Sequence, residues 1–194
     1  MPKIVDHDEY RKALLSQCFD LFADHGYATL TTRQIAKALG VSTGTLYYYF
    51  PSKEDLFMQL IEELTTQDLL RATAEIEGLG TLRDRILALA AFLEANEDYF
   101  IKQTLLLMDF YQQAGVGPSR VNEAVQRVSV RSRDEIMTAL QLTDPILATH
   151  VLCLIDGLIS ERMVNPAMVS YRQQAELLAD LLTAYLEKSA GGSL

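Results

Sequence analysis

Between Thr31 and Lys53 the sequence TTRQIAKALGVSTGTLYYYFPSK gathers a distinct set of hydrogen-bond donors. Thr32 and Arg33 stand at its start, Thr43, Gly44, Thr45, Tyr47, Tyr48 and Tyr49 crowd its second half, and Lys53 closes it. Hydroxyls, one guanidinium and one ammonium, offered from the first turns of short helices, suit phosphate oxygens and base edges rather than bond-making chemistry. Gly44 lacks a side chain, so a helix carrying it can approach a groove wall closely. Three consecutive tyrosines on a short helix cannot all be buried. At least one ring must face outward, where it can lie along a DNA backbone.

The elements that must position these groups are legible from local signals. Thr31 caps a first helix and Gln34, three residues on, completes a capping box. Ile35, Ala36 and Leu39 share one face at helical spacing. Gly40 supplies the left-handed residue that ends this helix, with Val41 as the apolar residue of the turn. A second helix runs from Ser42 or Thr43, pointing Leu46 and Phe50 inward, and Pro51 stops it. Ser52 caps the next helix, with Asp55 at the box position. Two helices joined by a short glycine turn form a helix-turn-helix.

The stretch GYATLTTRQIAKALGVSTGTLYYYFPSKEDLF, Gly26 to Phe57, resembles the DNA-binding domain of the TetR family of transcriptional regulators. The resemblance lies in the Thr-Thr-Arg opening, the Ala-x-x-Leu-Gly-Val turn, Gly-Thr-Leu-Tyr, the aromatic pair ending at Phe50, and Lys53 before an acidic helix start. It implies an all-helical homodimer that binds a double-stranded DNA operator through Thr32, Arg33, Thr43, Gly44, Thr45, Tyr47, Tyr49 and Lys53. It also implies a variable C-terminal domain that takes a small-molecule effector. Two positions depart from the family pattern: Tyr49 stands where many members carry His, and Pro51 where a polar or basic residue is usual.

Composition sets outer bounds. The 194 residues are enough for one or two domains with a real core. No apolar run approaches the roughly 20 residues of a membrane span, and Met-Pro-Lys-Ile-Val-Asp is no signal segment, so a cytoplasmic protein with no membrane partner is expected. The net charge of −9 argues against DNA at first sight. Most of the excess acid, however, lies beyond residue 60, and binding needs local rather than global positive potential. Cys18 and Cys153 read as small core hydrophobes. His7, His25 and His150 lack metal-ligand spacing, and no catalytic constellation, metal site or cofactor motif is present, so neither an enzyme nor a cofactor is expected.

The rest of the chain reads as helices throughout. Residues 1–8 are expected to be a frayed arm, with Lys3 and His7 near the DNA side, followed by a helix from Glu9 to Asp24. A long helix from Ser52 to about Glu75 carries Leu60, Ile61 and Leu64 inward and connects the two domains, taken as 1–56 and 57–194. Thr81 with Asp84 caps the next helix, and another runs from Asp98 to Gln113. Gly115-Val-Gly117-Pro118 is a loop before a helix from Ser119 to about Leu142. Ile146–Val164 and Ser170–Leu186 are apolar over broad faces, and a loose tail follows from Lys188. Their surplus at Ile155, Leu158, Ile159, Leu178, Leu181 and Leu182 is expected to form a four-helix dimer interface. His150 and Asp156 are expected to be structurally satisfied on the first of these helices, with Glu161 and Arg162 as a local ion pair. Phe92, Tyr99, Phe100, Gln103, Thr104, Leu107, Met108 and Tyr111 are the candidate ligand-facing residues, in a mainly apolar pocket. The reading is therefore an all-α, ligand-responsive regulator, most simply a repressor released by an apolar molecule. Its rivals are an effector-free DNA-binding regulator and a small-molecule binder with a vestigial DNA-binding motif.

Overall fold

A computed structural model describes residues 6–114 and 120–191, and these residues form helices without strands. The sequence-based expectations for Lys3, for the Gly115–Pro118 loop, for Ser119 and for the last residues of the tail lie outside the described residues. The helices are α1 (His7–His25), α2 (Thr32–Ala38), α3 (Thr43–Tyr49), α4 (Lys53–Ile76), α5 (Leu82–Ala95), α6 (Glu97–Ala114), α7 (Arg120–Leu140), α8 (Pro145–Val164) and α9 (Tyr171–Gly191). They gather into two compact units, one of Met1–Gln67 with Leu105–Val128 and one of Asp68–Thr104 with Ser129–Leu194. The helices α4, α6 and α7 therefore each contribute residues to both, whereas the sequence suggested a single boundary after residue 56.

In the first unit, α1 starts two residues earlier than its apolar periodicity suggests. The Asp6 carboxylate accepts the backbone N–H groups of Asp8 and Glu9, so His7 and Asp8 belong to the helix rather than to a frayed arm. Leu14, Leu15, Cys18, Phe19 and Phe22 form its buried face. The capping box of α2 is formed as read: Gln34 N–H donates to Thr31 Oγ1 at 3.3 Å and Thr31 N–H to Gln34 Oε1 at 2.9 Å. At its other end Gly40 takes φ +68, while Val41 N–H reaches Ala36 O and Gly40 N–H reaches Lys37 O. This pair of bonds is the Schellman arrangement, which only a left-handed residue permits. Ser42 caps α3 through Thr45 N–H at 2.9 Å, and Ser52 and Asp55 exchange bonds at the head of α4.

The link between α1 and α2 is fastened from outside. Gly26 has φ +79 and ψ 146, a region essentially restricted to glycine, and a Cβ there would sit 3.3 Å from Asp109 Oδ2. That same oxygen accepts Tyr27 N–H at 2.6 Å. Lys53 donates to Tyr27 O at 2.9 Å and Leu30 O at 3.0 Å, with its ammonium 4.1 Å from the centre of the Tyr27 ring. Phe57 and Phe110 stack at 4.2 Å beside Tyr27, and Phe22 closes the cluster edge-on.

The core of the second unit joins α5, α8 and α9 with the end of α7, and Tyr171 is its largest fully buried side chain. Here several expectations are corrected. Leu158, Ile159, Leu178 and Leu182 are buried within the subunit, and Ile155 packs partly against the same core, so they cannot serve an intersubunit surface; of the six expected there, only Leu181 is well exposed. The physical reason is that a helix apolar most of the way round does not reveal which side its own subunit claims. The exposed apolar stripe on α9 is Leu177, Leu181 and Tyr185, at 52, 57 and 51 % exposure. Cys153 is exposed rather than core, as are His150 and Asp156. Arg162 pairs with Glu97 across the unit, not with its neighbours, and donates to Pro166 O and Val169 O at the turn after α8. The last helix continues to Gly191 instead of loosening at Lys188.

Replacing Lys53 by Met should lower stability by about 1–3 kcal/mol, since two carbonyls lose their charged donor. A shifted midpoint in urea denaturation, followed by circular dichroism, checks this.

Candidate nucleic-acid interface

The exposed side of α2 and α3 carries most of the expected DNA contacts. Arg33, Thr43, Gly44 and Tyr47 are open to solvent, and Thr32 is half-buried at the first turn of α2. Thr31, Arg33, Gln34, Ala36, Lys37, Val41 and Thr43 line a concavity of about 460 Å³ between the two helix starts. Lys37 was not among the candidates, although its spacing of four from Arg33 sets both cations on one helical face. Thr45 is turned partly toward its own cap, its Oγ1 lying 2.9 Å from Ser42 Oγ.

The three tyrosines divide. Tyr47 and Tyr48 face outward at 51 and 71 % exposure. Tyr49 lies against α1, its hydroxyl 2.8 Å from His7 Nδ1 and its ring 5.5 Å from that of Tyr10. An imidazole thus stands beside position 49, delivered by α1 rather than by α3. Tyr48 takes the outward place that the sequence reading gave to Tyr49. Lys53 is also placed differently. Its ammonium is committed to Tyr27 O and Leu30 O, so the charge expected on a phosphate instead secures the α1–α2 link. Burial pulls its pKa below the usual lysine value, against an opposing attraction from Asp109.

The expected ligand-facing residues are divided between the two units. Phe92, Tyr99, Phe100, Gln103 and Thr104 belong to the second unit, whereas Leu107, Met108 and Tyr111 belong to the first. Met108 is 51 % exposed, and the Thr104 hydroxyl is spent on Phe100 O of its own helix. None of the eight lines the apolar void of about 30 Å³ among Ile86, Leu89, Leu93, Val151, Leu158 and Tyr171, which is room for a water or two, not an effector.

What the second unit does assemble is a polar triad absent from the sequence reading. Tyr99 OH donates to Asp68 Oδ1 at 2.9 Å, and Gln103 Nε2 donates to Asp68 Oδ2 at 2.8 Å and to Tyr99 OH at 2.7 Å. Burial raises the Asp68 pKa above the ordinary carboxyl value, with the two hydrogen bonds and the more distant Arg71 charge opposing. The Tyr99 phenol is pushed up as well, first by burial and then by the Asp68 charge. With its folded value raised, Asp68 contributes stability in acid that is lost as pH rises through that value. Its signal in the sequence is its register: Asp68 continues the buried Leu60, Leu64 stripe of α4 by one more turn.

Residues 14–60 match the model for bacterial regulatory proteins of the tetR family. Those residues are a tetR-type regulatory domain. The chain is 28% identical over 202 residues to the HTH-type transcriptional regulator BetI of Rhizobium meliloti, covering 99% of this chain and 97% of that protein. Among solved structures, FadR of Bacillus subtilis in complex with stearoyl-CoA shares the fold at TM-score 0.63 and 18% identity, covering 88% of this chain and 96% of that one. A regulator from Saccharomonospora viridis in complex with choline does so at TM-score 0.64 and 22% identity, with 91% and 97% covered.

Gly44 separates folding from DNA approach. A Cβ there would meet only Ser42 Oγ at 3.6 Å, an ordinary contact. Gly44 lies in the first turn of α3, so Gly44→Ala should leave the stability of the fold unchanged or slightly raised, while weakening operator binding. Thermal denaturation alongside fluorescence anisotropy on operator DNA measures the two effects separately.

Proposed function

We propose that the protein is a homodimeric repressor that leaves its operator when a small molecule binds its C-terminal unit. The observation that carries the DNA half is the open concavity lined by Arg33, Lys37 and Thr43, next to an α3 that has Gly44 in its first turn and exposes Tyr47 and Tyr48. Two guanidinium or ammonium groups, hydroxyls and a close-approaching helix supply phosphate contacts and base-edge readout together. With only two cations on this face, backbone N–H groups and hydroxyls carry much of the phosphate contact.

The dimer half rests on α9. Leu177, Leu181 and Tyr185 recur every fourth residue and stay uncovered by their own subunit. A two-fold partner through this stripe makes the operator a pseudo-palindrome, with half-sites about 34–36 Å apart or a small multiple of that. Leu181→Asp should convert the protein to monomers at micromolar concentration and weaken operator binding. Sedimentation velocity reads the first effect, and a dimer that survives the substitution points to another face.

The effector half rests on solved regulators of the same fold, which hold ligands as different as stearoyl-CoA and choline. Each of α4 and α6 contributes residues to both compact units, so a ligand that shifts either helix at one end shifts it at the other. The half-sites are fixed by the DNA, and a displacement of a few ångströms breaks contacts on one side. A ligand acts this way only if it prefers the DNA-incompetent state, and operator must then weaken ligand binding by the same factor. Titrating a ligand found by thermal-shift screening, with and without operator, tests this; equal affinities would reject the coupling. The small size of the void in the second unit favours instead an effector-free regulator, which is what such a screen without hits would support.

A further inference from the structure

We propose that α3 selects its operator by the C5-methyl groups of thymine, contacted by the methyl of Thr43 and the ring of Tyr47. This rests on the DNA-binding reading above and names the base edge that α3 selects.

Helix α3 is Thr43-Gly44-Thr45-Leu46-Tyr47-Tyr48-Tyr49. In the major groove, guanine is distinguished by a bidentate Arg or Lys, adenine by a bidentate Asn or Gln, and cytosine by an Asp or Glu acceptor. None of those residue types occurs in α3. The nearest stand on α2, where Arg33, Gln34 and Lys37 line the same concavity as Thr43. Gln34 Oε1 already accepts Thr31 N–H at 2.9 Å and the Thr31 hydroxyl at 2.6 Å. That withdraws the Gln34 amide from the paired contact adenine needs. A lone hydroxyl both donates and accepts, so it tolerates any base. The groove offers an apolar reader one group, the thymine methyl.

Which residues of α3 can reach that group follows from how the others are engaged. Leu46 is buried. Tyr49 is turned to α1, its hydroxyl 2.8 Å from His7 Nδ1. Tyr48 lies beside the rings of His7 and Tyr49, at 5.9 and 5.0 Å. Thr45 Oγ1 is taken up by Ser42 Oγ at 2.9 Å. Thr43 and Tyr47 are left, both exposed and four residues apart on one side of the helix. At 3.6 residues per turn Gly44 falls roughly opposite Leu46, so α3 meets a partner over a position with no side chain. A threonine is too short to touch a base edge unless the backbone comes near, and Gly44 permits that approach. The Thr43 methyl and the Tyr47 ring gain by covering a thymine methyl. Over cytosine, which carries only hydrogen at C5, they gain nothing comparable.

The test pairs deletion of a methyl on the DNA with deletion of a methyl on the protein. The whole chain selects duplexes from a random-sequence library, and each thymine of a selected half-site is replaced in turn by deoxyuridine, which lacks only the methyl. Binding is read by fluorescence anisotropy at fixed salt. Each of the two residues should have a thymine whose replacement weakens binding about fourfold, the worth of one buried methyl group. Thr43→Ser removes the side-chain methyl and keeps the hydroxyl, so one of these penalties should vanish. Thr43→Val does the reverse and should keep it, and Tyr47→Ala should abolish the other. A penalty that came from altered duplex stiffness would ignore all three variants. Uracil penalties absent throughout the site, or unchanged in Thr43→Ser and Tyr47→Ala alike, would overturn the assignment and leave the DNA-binding reading standing. A library in which no sequence is enriched would remove both.

Discussion

The first unit depends on how the four residues between Tyr27 and Leu30 are held. The backbone groups of this link lie outside the ladders of α1 and α2, and beyond the local bonds of the Thr29 hydroxyl to His25 O and Gly26 O they need partners from elsewhere. The link receives one of each sign: Asp109 takes the Tyr27 N–H and Lys53 takes two carbonyls. The two charges are contributed by α6 and α4, which makes the entry angle of α2 a property of helices remote from it in sequence. The aromatic cluster of Phe22, Tyr27, Phe57 and Phe110 then excludes water from this junction, strengthening both charged contacts.

The same junction explains why the DNA-facing side is sparing with charge. Of the cations near the recognition module, Lys53 is engaged inward, leaving Arg33 and Lys37 at the rim of the concavity between the helix starts. A module with few cations is less able to hold DNA non-specifically, since that term scales with the number of neutralised phosphates. On the same side Gly44 leaves space and Tyr47 and Tyr48 turn outward.

Much of this architecture was legible because it is written in local grammar. Three Ser or Thr caps with their partners three residues on and a glycine after α2 each act within one helical turn, and each forms as its residues dictate. What was not legible depends on distant partners. Nothing around Lys53 announces that carbonyls 26 and 23 residues earlier lack donors. Nothing in the apolar breadth of α8 and α9 distinguishes the side facing the subunit's own core from the side left open at Leu177 and Leu181. Asp68 was hidden for the opposite reason. A charged residue on an otherwise apolar stripe is easily discounted as surface, although the register of α4 carries it inward to Tyr99 and Gln103.

The two thiols differ as much as two thiols can. Cys18 is fully enclosed by α1's packing, and burial pushes its pKa up to about 12, whereas Cys153 stands open on α8. The thiolate is the reactive form, so a maleimide or disulfide reagent modifies Cys153 alone while the first unit stays closed. Once Cys153 is substituted, the labelling rate of Cys18 becomes a clock for opening of the DNA-binding unit by itself. That clock runs without denaturant, in the presence of operator or of any small molecule, and resolves motions of one unit that a melting curve averages over the whole chain.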